Sequence, residues 1–252
     1  MKFVSKTSSP SPWRTMISSI SSIVEEANFE ATADGLSFRA MDPSHIALID
    51  VFWPNTAFEK YECNEQIKFA VRVEDLNKLI RRANQKDSVE FSLGDDELLQ
   101  IKFEGTYSRE FNLHLIESTS GSTPLPKLNL DSKIILKGSI FQQLLSDIST
   151  VSDHVILSST TDSITFSGKS DTGKASAILD KGNEDLLELN VTEASNSMYS
   201  IDYLNNITKA SINADDSVSL DYSSKMPMKL ELKLGDKGGL ICFYLAPRIE
   251  EV

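Results

Sequence analysis

The stretch WRTMISSISSIVEEANFEATADGLSFRAMD (residues 13–42) decides the fold, because it aligns without a gap with FQQLLSDISTVSDHVILSSTTDSITFSGKS (residues 141–170). Apolar residues coincide at packing positions such as Trp13/Phe141. Self-similarity at a fixed offset is the signature of a duplicated structural unit. Because no set of catalytic residue types recurs in both copies, the duplication predicts a scaffold whose function depends on geometry rather than on chemistry.

The repeat continues beyond this stretch and fills the chain. Val73 and Ile201 keep the same offset, which then slips by one residue so that Asp87 aligns with Asp216. A shorter offset within the first half gives a fainter match in apolar character. Four related units per chain are the simplest interpretation.

Two hydrophobic periods alternate along the chain. Apolar residues at helical spacing predict four amphipathic helices, which begin near Trp13, Leu76, Phe141 and Leu204. Alternating segments such as Leu36–Arg39 are typical of antiparallel strands with one buried face. The sequence therefore predicts an α+β fold with two similar domains, residues 1–117 and 128–252. Residues 118–127 have neither period and are rich in loop formers, so we expect them to connect the domains.

Composition limits the classes of function. The 252 residues carry a net charge of −12, which by itself argues against a nucleic-acid partner, because phosphate binding depends on Lys and Arg. The polar faces of the predicted helices, however, hold few acidic residues beyond the first turns. No apolar run approaches the ~18 residues of a membrane span. We therefore expect a soluble protein without a membrane contact. Because Cys63 and Cys242 lack metal-ligand spacing and are only two, we also expect no metal site and no disulfide.

Motifs that resemble catalytic sites are incomplete. GKSDTGKA (Gly168–Ala175) falls one residue short of a phosphate-binding loop, because Ala175 stands where that motif needs Ser or Thr to hold magnesium. We interpret it as a hairpin loop, and a phosphatase or nucleotide hydrolase is the alternative. Gly235–Gly239 reads as a second hairpin turn. The three histidines, His45, His114 and His154, lack the spacing of a zinc site. We therefore expect no catalytic residues and no cofactor.

Two motifs about 200 residues apart resemble one family. MDPSHIAL (Met41–Leu48) resembles the loop motif, and YLAPRIEE (Tyr244–Glu251) the C-terminal signature, of DNA sliding clamps of the proliferating cell nuclear antigen (PCNA) type. Thr165 stands where eukaryotic members carry a modified lysine, so the chain resembles archaeal members. The resemblance implies the DNA clamp fold: a trimeric ring around duplex DNA, with antiparallel sheets outside and helices lining the interior.

The resemblance also implies a function. It is that of a processivity factor and docking platform in replication and repair, not that of an enzyme. The implied partners are duplex DNA, two further clamp subunits, a clamp loader, and DNA polymerase, flap endonuclease and DNA ligase held through a short glutamine/aromatic peptide. A subunit of a heterotrimeric or checkpoint-type clamp is the alternative. The expected compartment is the cytoplasm and nucleoid for an archaeal protein and the nucleus for a eukaryotic one.

Three groups of site residues follow from the resemblance. Basic helix residues would contact phosphates without reading bases: Arg14, Lys78, Arg81, Arg82 and Lys209. The partner-peptide pocket would comprise Met41, His45, Ile46, Leu48, Leu125, Pro126, Leu128, Pro227, Tyr244, Ala246, Pro247 and Ile249. The subunit interface would pair two edge strands through Arg109, Phe111, Leu113, His114, Leu115, Lys174, Ala175, Ala177, Ile178 and Leu179. The alternatives are solvated helix faces for the first group and ordinary core positions for Met41, Leu48 and Tyr244.

Overall fold

The computed structural model describes residues 2–94, 97–117, 123–213 and 216–249. The first half of the chain forms nine strands, two α-helices and a short 3-10 turn at Asn55–Ala57 within these residues. The order is β1 (Phe3–Thr7), α1 (Ser11–Ser21), β2 (Glu26–Thr32), β3 (Gly35–Met41), β4 (Ala47–Pro54), β5 (Lys60–Cys63), β6 (Ile67–Arg72), α2 (Val73–Ile80), β7 (Ser88–Leu93), β8 (Leu98–Glu104) and β9 (Ser108–His114).

The second half repeats this order element by element. It comprises β10 (Ser132–Lys137), α3 (Gly138–Ser149), β11 (His154–Ser159), β12 (Ser163–Ser170), β13 (Gly173–Asp180), β14 (Leu186–Val191), β15 (Ser195–Ser200), α4 (Ile201–Ser211), β16 (Ser217–Tyr222), β17 (Met228–Leu234) and β18 (Gly239–Leu245). The duplicated α+β fold predicted from the sequence is confirmed, and each described strand and α-helix of one half has a counterpart in the other.

The chain divides into two compact units, and neither is a single stretch of sequence. Unit 1 is drawn from Met1–Pro43, Ile49–Thr123 and Lys233–Ile241. Unit 2 is drawn from Ser44–Leu48, Pro124–Leu232 and Cys242–Val252. Strands β4, β17 and β18 therefore contribute residues to both units.

Unit 1 contains a five-stranded antiparallel sheet in the order β5-β1-β7-β8-β9. In this unit, β2 also pairs with β3 and β6. The apolar face of α1 is buried because its residues recur at helical spacing, and Trp13 stacks on Phe91 with ring centroids 3.8 Å apart. Trp53 meets Trp13 edge-on at 4.8 Å. Such aromatic pairs contribute about 0.5–1.5 kcal/mol each beyond the area that they bury.

Unit 2 contains a four-stranded antiparallel sheet in the order β13-β12-β11-β15, while β10 pairs with β14 and β16. Helix α3 buries Phe141 and Leu145, and α4 buries Leu204 and Ile207. The buried Tyr199 keeps a partner for its hydroxyl, which donates to the Met226 carbonyl at 2.9 Å. The polar residues of both helices are thereby left on the opposite, more exposed side.

The two glycine-containing segments Gly168–Ala175 and Gly235–Gly239 form hairpins, as predicted. Gly168 lies in β12, and Ser170 pairs with Gly173 of β13 across a two-residue turn. A phosphate-binding loop needs a helix at this point, whereas Ala175 lies in a strand. Residues 235–238 connect β17 to β18, which begins at Gly239. Cys63 and Cys242 are buried, and neither forms a disulfide within the described residues. In the described part of the chain, no helix is long and apolar enough to cross a membrane.

Candidate nucleic-acid interface and partner pocket

Three exposed basic residues of unit 1 lie at the carboxyl end of α2. Lys78 lies in the last turn, and its Nζ is 2.5 Å from the carboxylate of Glu74 one turn earlier. The helix ends at Ile80, sooner than its apolar spacing predicts, so Arg81 and Arg82 lie in the following turn and are exposed. Cations are favoured here because the helix dipole places negative charge at its carboxyl end. The arrangement presents three basic side chains at one helix end.

Arg14 lies differently from these three. It is half-buried on α1, and its Nη2 donates a hydrogen bond to the carbonyl of Ala83, just beyond α2. Its Nε is buried with no hydrogen-bond partner among the described residues. The guanidinium therefore contacts the turn that follows α2. The DNA contact predicted for Arg14 stays a prediction.

Unit 2 offers fewer positive charges on its helices. Lys209 is exposed in the last turn of α4. Helix α3 carries no Lys or Arg, and its exposed positions include Asp147 and Ser149. Gln142 of α3 donates to the carbonyls of Thr208 and Ile212 at 3.0 and 3.3 Å. The electrostatic attraction for phosphate on these helix faces thus depends on α2 and Lys209.

The carboxyl-terminal segment of unit 2 leaves β18 as an extended tail held by backbone hydrogen bonds. Ala246 N–H donates to the Ile46 carbonyl at 2.9 Å, and Arg248 N–H donates to the Met198 carbonyl at 2.7 Å. Arg248 Nη1 also reaches Asp153 Oδ2 at 3.2 Å. The pKa of Asp153 is held below its usual range, first by the hydrogen bond with His154 and then by Arg248. The ion pair therefore persists at neutral pH.

These contacts bring part of the predicted partner pocket together. The loop residue Ile46 and the tail residue Ala246 lie side by side, although 200 residues separate them in the sequence. His45 adopts a left-handed backbone with φ of 58°, which is uncommon for a residue with a side chain. Leu48 is buried, so at this position the structure agrees with the core alternative. The other predicted residues of unit 2 are at least partly exposed: His45, Ile46, Leu125, Pro126, Leu128, Pro227, Tyr244, Ala246, Pro247 and Ile249. Met41, in unit 1, is also exposed.

The strands predicted for the subunit interface lie at sheet edges. In the order of the described strands, β9 ends the five-stranded sheet and β13 ends the four-stranded sheet. Ile178 of β13 is 61% exposed, whereas its neighbour Leu179 is buried. Phe111 and Leu113 are half-buried on one face of β9. Exposed apolar residues on an edge strand favour pairing with another chain.

Arg109 of β9 has a partner that the sequence analysis missed. Its guanidinium forms an ion pair with Asp87, whose side chain is almost fully buried, and its Nη1 donates to the Arg82 carbonyl at 2.7 Å. Asp87 Oδ2 also accepts the Asn84 N–H at 2.7 Å. The only signal in the sequence was the alignment of Asp87 with Asp216, which accepts the Asn213 N–H in the same way.

Some predicted features lie outside the described residues. These are residues 118–122 of the connecting loop and the last two residues of the tail motif, 250 and 251. The described loop residues begin at Thr123, whose carbonyl accepts a long hydrogen bond of 3.4 Å from Arg39.

Two duplicated α+β units with amphipathic helices and available sheet edges define a protein of the DNA-clamp class. Two protein-family sequence models match this chain. That of the N-terminal domain of proliferating cell nuclear antigen matches residues 3–118, and that of its C-terminal domain matches residues 124–248. The DNA polymerase sliding clamps of Nitrosopumilus maritimus and Cenarchaeum symbiosum are 45% and 43% identical to this chain, over 99% of it and 100% and 99% of their own lengths. That of Thermococcus gammatolerans is 35% identical over 94% of each chain.

Solved structures of PCNA share the fold of this chain. PCNA from Thermococcus kodakaraensis has a TM-score of 0.94 at 23% identity, covering 98% of this chain and 100% of that one, which shows the shared fold. PCNA from A. fulgidus bound by the C-terminal region of FEN-1 has a TM-score of 0.89 at 26% identity, covering 99% of this chain and all of that one. The chain belongs to the PCNA family and is a DNA polymerase sliding clamp, a processivity factor in DNA replication and not an enzyme.

Proposed function

We propose that this sliding clamp closes into a homotrimeric ring around duplex DNA, through the pairing of β9 of one chain with β13 of the next. The observation that carries the proposal is the order of the strands. In the element order of the two halves, β9 occupies the same place as β18, and β13 the same place as β4. Strands β18 and β4 are hydrogen-bonded neighbours in the structure. A β9–β13 junction between chains would therefore repeat a pairing that each chain already makes once.

We assign the DNA face to the basic residues at the ends of two helices. Lys78, Arg81, Arg82 and Lys209 are exposed, so each can reach a phosphate without first leaving a buried site. Contacts of this kind carry no base information and suit a protein that must slide. In a chain with a net charge of −12, they also localise the positive potential where DNA would lie and leave other surfaces acidic.

We assign the partner pocket to the loop and tail residues of unit 2 around the Ile46–Ala246 hydrogen bond. Exposed apolar groups such as Leu125 and Ile249 offer anchors for a peptide with a glutamine and aromatic residues, because buried aromatic anchors dominate such interfaces. A solved relative binds the C-terminal region of FEN-1. By analogy, we propose that flap endonuclease, DNA ligase, DNA polymerase and a clamp loader dock here. Since the named sequence relatives are archaeal, we expect a cytoplasmic, nucleoid-associated clamp.

The ring is tested by light scattering after size exclusion on the purified chain. We expect a trimer for the wild type and monomers for Ile178→Lys, because the new charge would lie in the strand junction. Leu187→Lys is the matched control, since Leu187 is 53% exposed on β14, another edge strand. It should remain trimeric. A trimeric Ile178→Lys would contradict the interface, and a wild-type chain that stays monomeric alone would favour the heterotrimeric alternative.

The DNA face is tested by polymerase stimulation on primed circular DNA at physiological salt. Replacing Arg81, Arg82 and Lys209 with Ala should reduce stimulation without unfolding the protein. The control removes the same charge from three exposed lysines elsewhere, Lys225, Lys233 and Lys237. Equal stimulation by both triple variants and the wild type would refute the assignment.

A further inference from the structure

We propose that Arg14 is a positioning residue of the DNA face and not a phosphate contact. Its guanidinium holds the exposed basic turn that follows α2, Arg81 to Lys86, through the carbonyl of Ala83. This inference rests on the DNA face proposed above, because it assigns Arg14 a role toward that turn.

Backbone N–H groups of Arg81, Arg82 and Ala83 donate to the last carbonyls of α2, those of Asn77, Leu79 and Ile80. The carbonyls of the following turn lie beyond the helix, and two of them receive arginine side chains. Ala83 O accepts from Arg14 Nη2, and Arg82 O accepts from Arg109 Nη1 at 2.7 Å. Cations at this end also interact favourably with the helix dipole. The basic turn is thus fastened from both α1 and β9, while its own side chains stay exposed.

The repeat provides an independent reason to distinguish the hydrogen bond that Arg14 makes from the positive charge that it carries. Gln142 stands at the position of Arg14 in the second copy, and its amide donates to the carbonyls of Thr208 and Ile212 at the end of α4. Ile212 corresponds to Ala83 after the one-residue slip of the repeat. Both copies therefore keep a side-chain hydrogen bond from the first helix to the end of the second. Only one copy uses a cation, so the hydrogen bond itself, rather than a positive charge, is the shared feature.

The burial of Arg14 agrees with this role. Its Nε is buried without a partner among the described residues, and Nη2 is engaged by Ala83. An arginine contacts a phosphate best when the donors of its planar guanidinium face solvent. Arg81 and Arg82 offer such exposed side chains, and Arg14, which is half-buried, offers fewer.

The test compares Arg14→Gln with Arg14→Ala and with Arg81→Ala/Arg82→Ala. Gln copies the side chain of the second repeat, so it removes the charge and can keep the hydrogen bond to the Ala83 carbonyl. Binding of a fluorescent duplex is followed by anisotropy across a range of KCl concentrations, and the melting temperature is measured for each variant. Removing one side chain that binds a phosphate should reduce the slope of log K against log salt by about one.

We expect Arg14→Gln to match the wild type within about twofold in affinity, with the same slope. Arg14→Ala should bind severalfold more weakly and melt at a lower temperature, again with little change in slope. If Arg14→Gln reduces the slope or the melting temperature as Arg14→Ala does, the inference is overturned. If Arg81→Ala/Arg82→Ala leaves the slope unchanged, the proposed DNA face fails instead, whatever Arg14 does.

Discussion

Replacing Asp87 with Asn tests how strongly the basic turn is tied to the edge strand β9. Asp87 is 2% exposed, and its Oδ2 accepts hydrogen bonds from the Asn84 backbone and the Arg109 guanidinium. Gly105 leaves the room for this carboxylate, because a Cβ there would lie 2.0 Å from Asp87 Oδ1. Asn has the same shape and keeps an acceptor for the Asn84 N–H. The substitution therefore removes the charge of the pair with little change in packing.

The expected cost follows from the exposure of the two partners. Removing one member of a fully buried ion pair costs about 3–5 kcal/mol, because the other charge is left uncompensated. The Arg109 side chain is 20% exposed, so water screens part of that charge, and we expect a decrease in stability of about 1–3 kcal/mol. For a chain of this length, each kcal/mol corresponds to about 2–4 °C in melting temperature.

The repeat supplies the matched control, Asp216→Asn. Asp216 Oδ2 accepts from the backbone and side chain of Asn213 at 2.7 and 2.9 Å. Leu240, the second residue of β18, takes the place that Arg109 has in β9. Because Asn can replace those interactions, its cost should be within about 0.5 kcal/mol. Urea unfolding at pH 7 and fixed protomer concentration measures both effects, since ring assembly would otherwise shift the apparent stability. Equal destabilisation by Asp87→Asn and Asp216→Asn would refute the reasoning.

Two further predictions concern surface charges. Hydrogen bonds from Lys102 and then Lys6 lower the pKa of Glu104 to about 2. A carboxyl whose folded-state pKa is depressed stabilises the protein above its unfolded pKa of about 4.3, and this contribution is lost as pH falls toward 2. The difference in melting temperature between wild type and Glu104→Gln should thus shrink between about pH 5 and pH 2, and a constant difference would contradict it. Glu74→Gln should release Lys78 and strengthen duplex binding at low salt but not at high salt, which anisotropy would measure; weaker binding at low salt would contradict it.

Sequence periodicity predicted the helices, the strands and their duplication because burial of one face imposes a repeating pattern on each element. It could not predict where a helix would stop. Ala83 keeps the apolar spacing of α2 and is buried, yet α2 ends at Ile80 and the chain turns. Periodicity also places a residue on a helix face without showing what its side chain reaches. Arg14 falls on the polar face of α1, and only the packing of α1 beside α2 brings its long side chain to the Ala83 carbonyl.

The partner pocket shows a second limit. Ile46 and Ala246 were found through motifs of a known family, since no local pattern connects residues so distant in sequence. Their hydrogen bond depends on the left-handed turn at His45 and on the tail leaving β18 as an extended segment. The exposure of Ile249 and the burial of Leu48 likewise depend on tertiary packing. A motif indicates which residues take part, and the fold decides which of them face solvent.

The duplication also bears on the direction of the proposed ring. A junction of β9 with β13 uses two different edges, so each chain would offer one of each kind and the interface would be heterologous. Such an interface closes only when the rotation per chain divides a full turn; otherwise it extends into a fibre. The two edges are not equivalent in composition: β9 carries Arg109, which is tied to the basic turn through Asp87, whereas β13 presents Ile178. Ring closure at β9 would thus act directly on the strand that holds the proposed DNA-contacting turn.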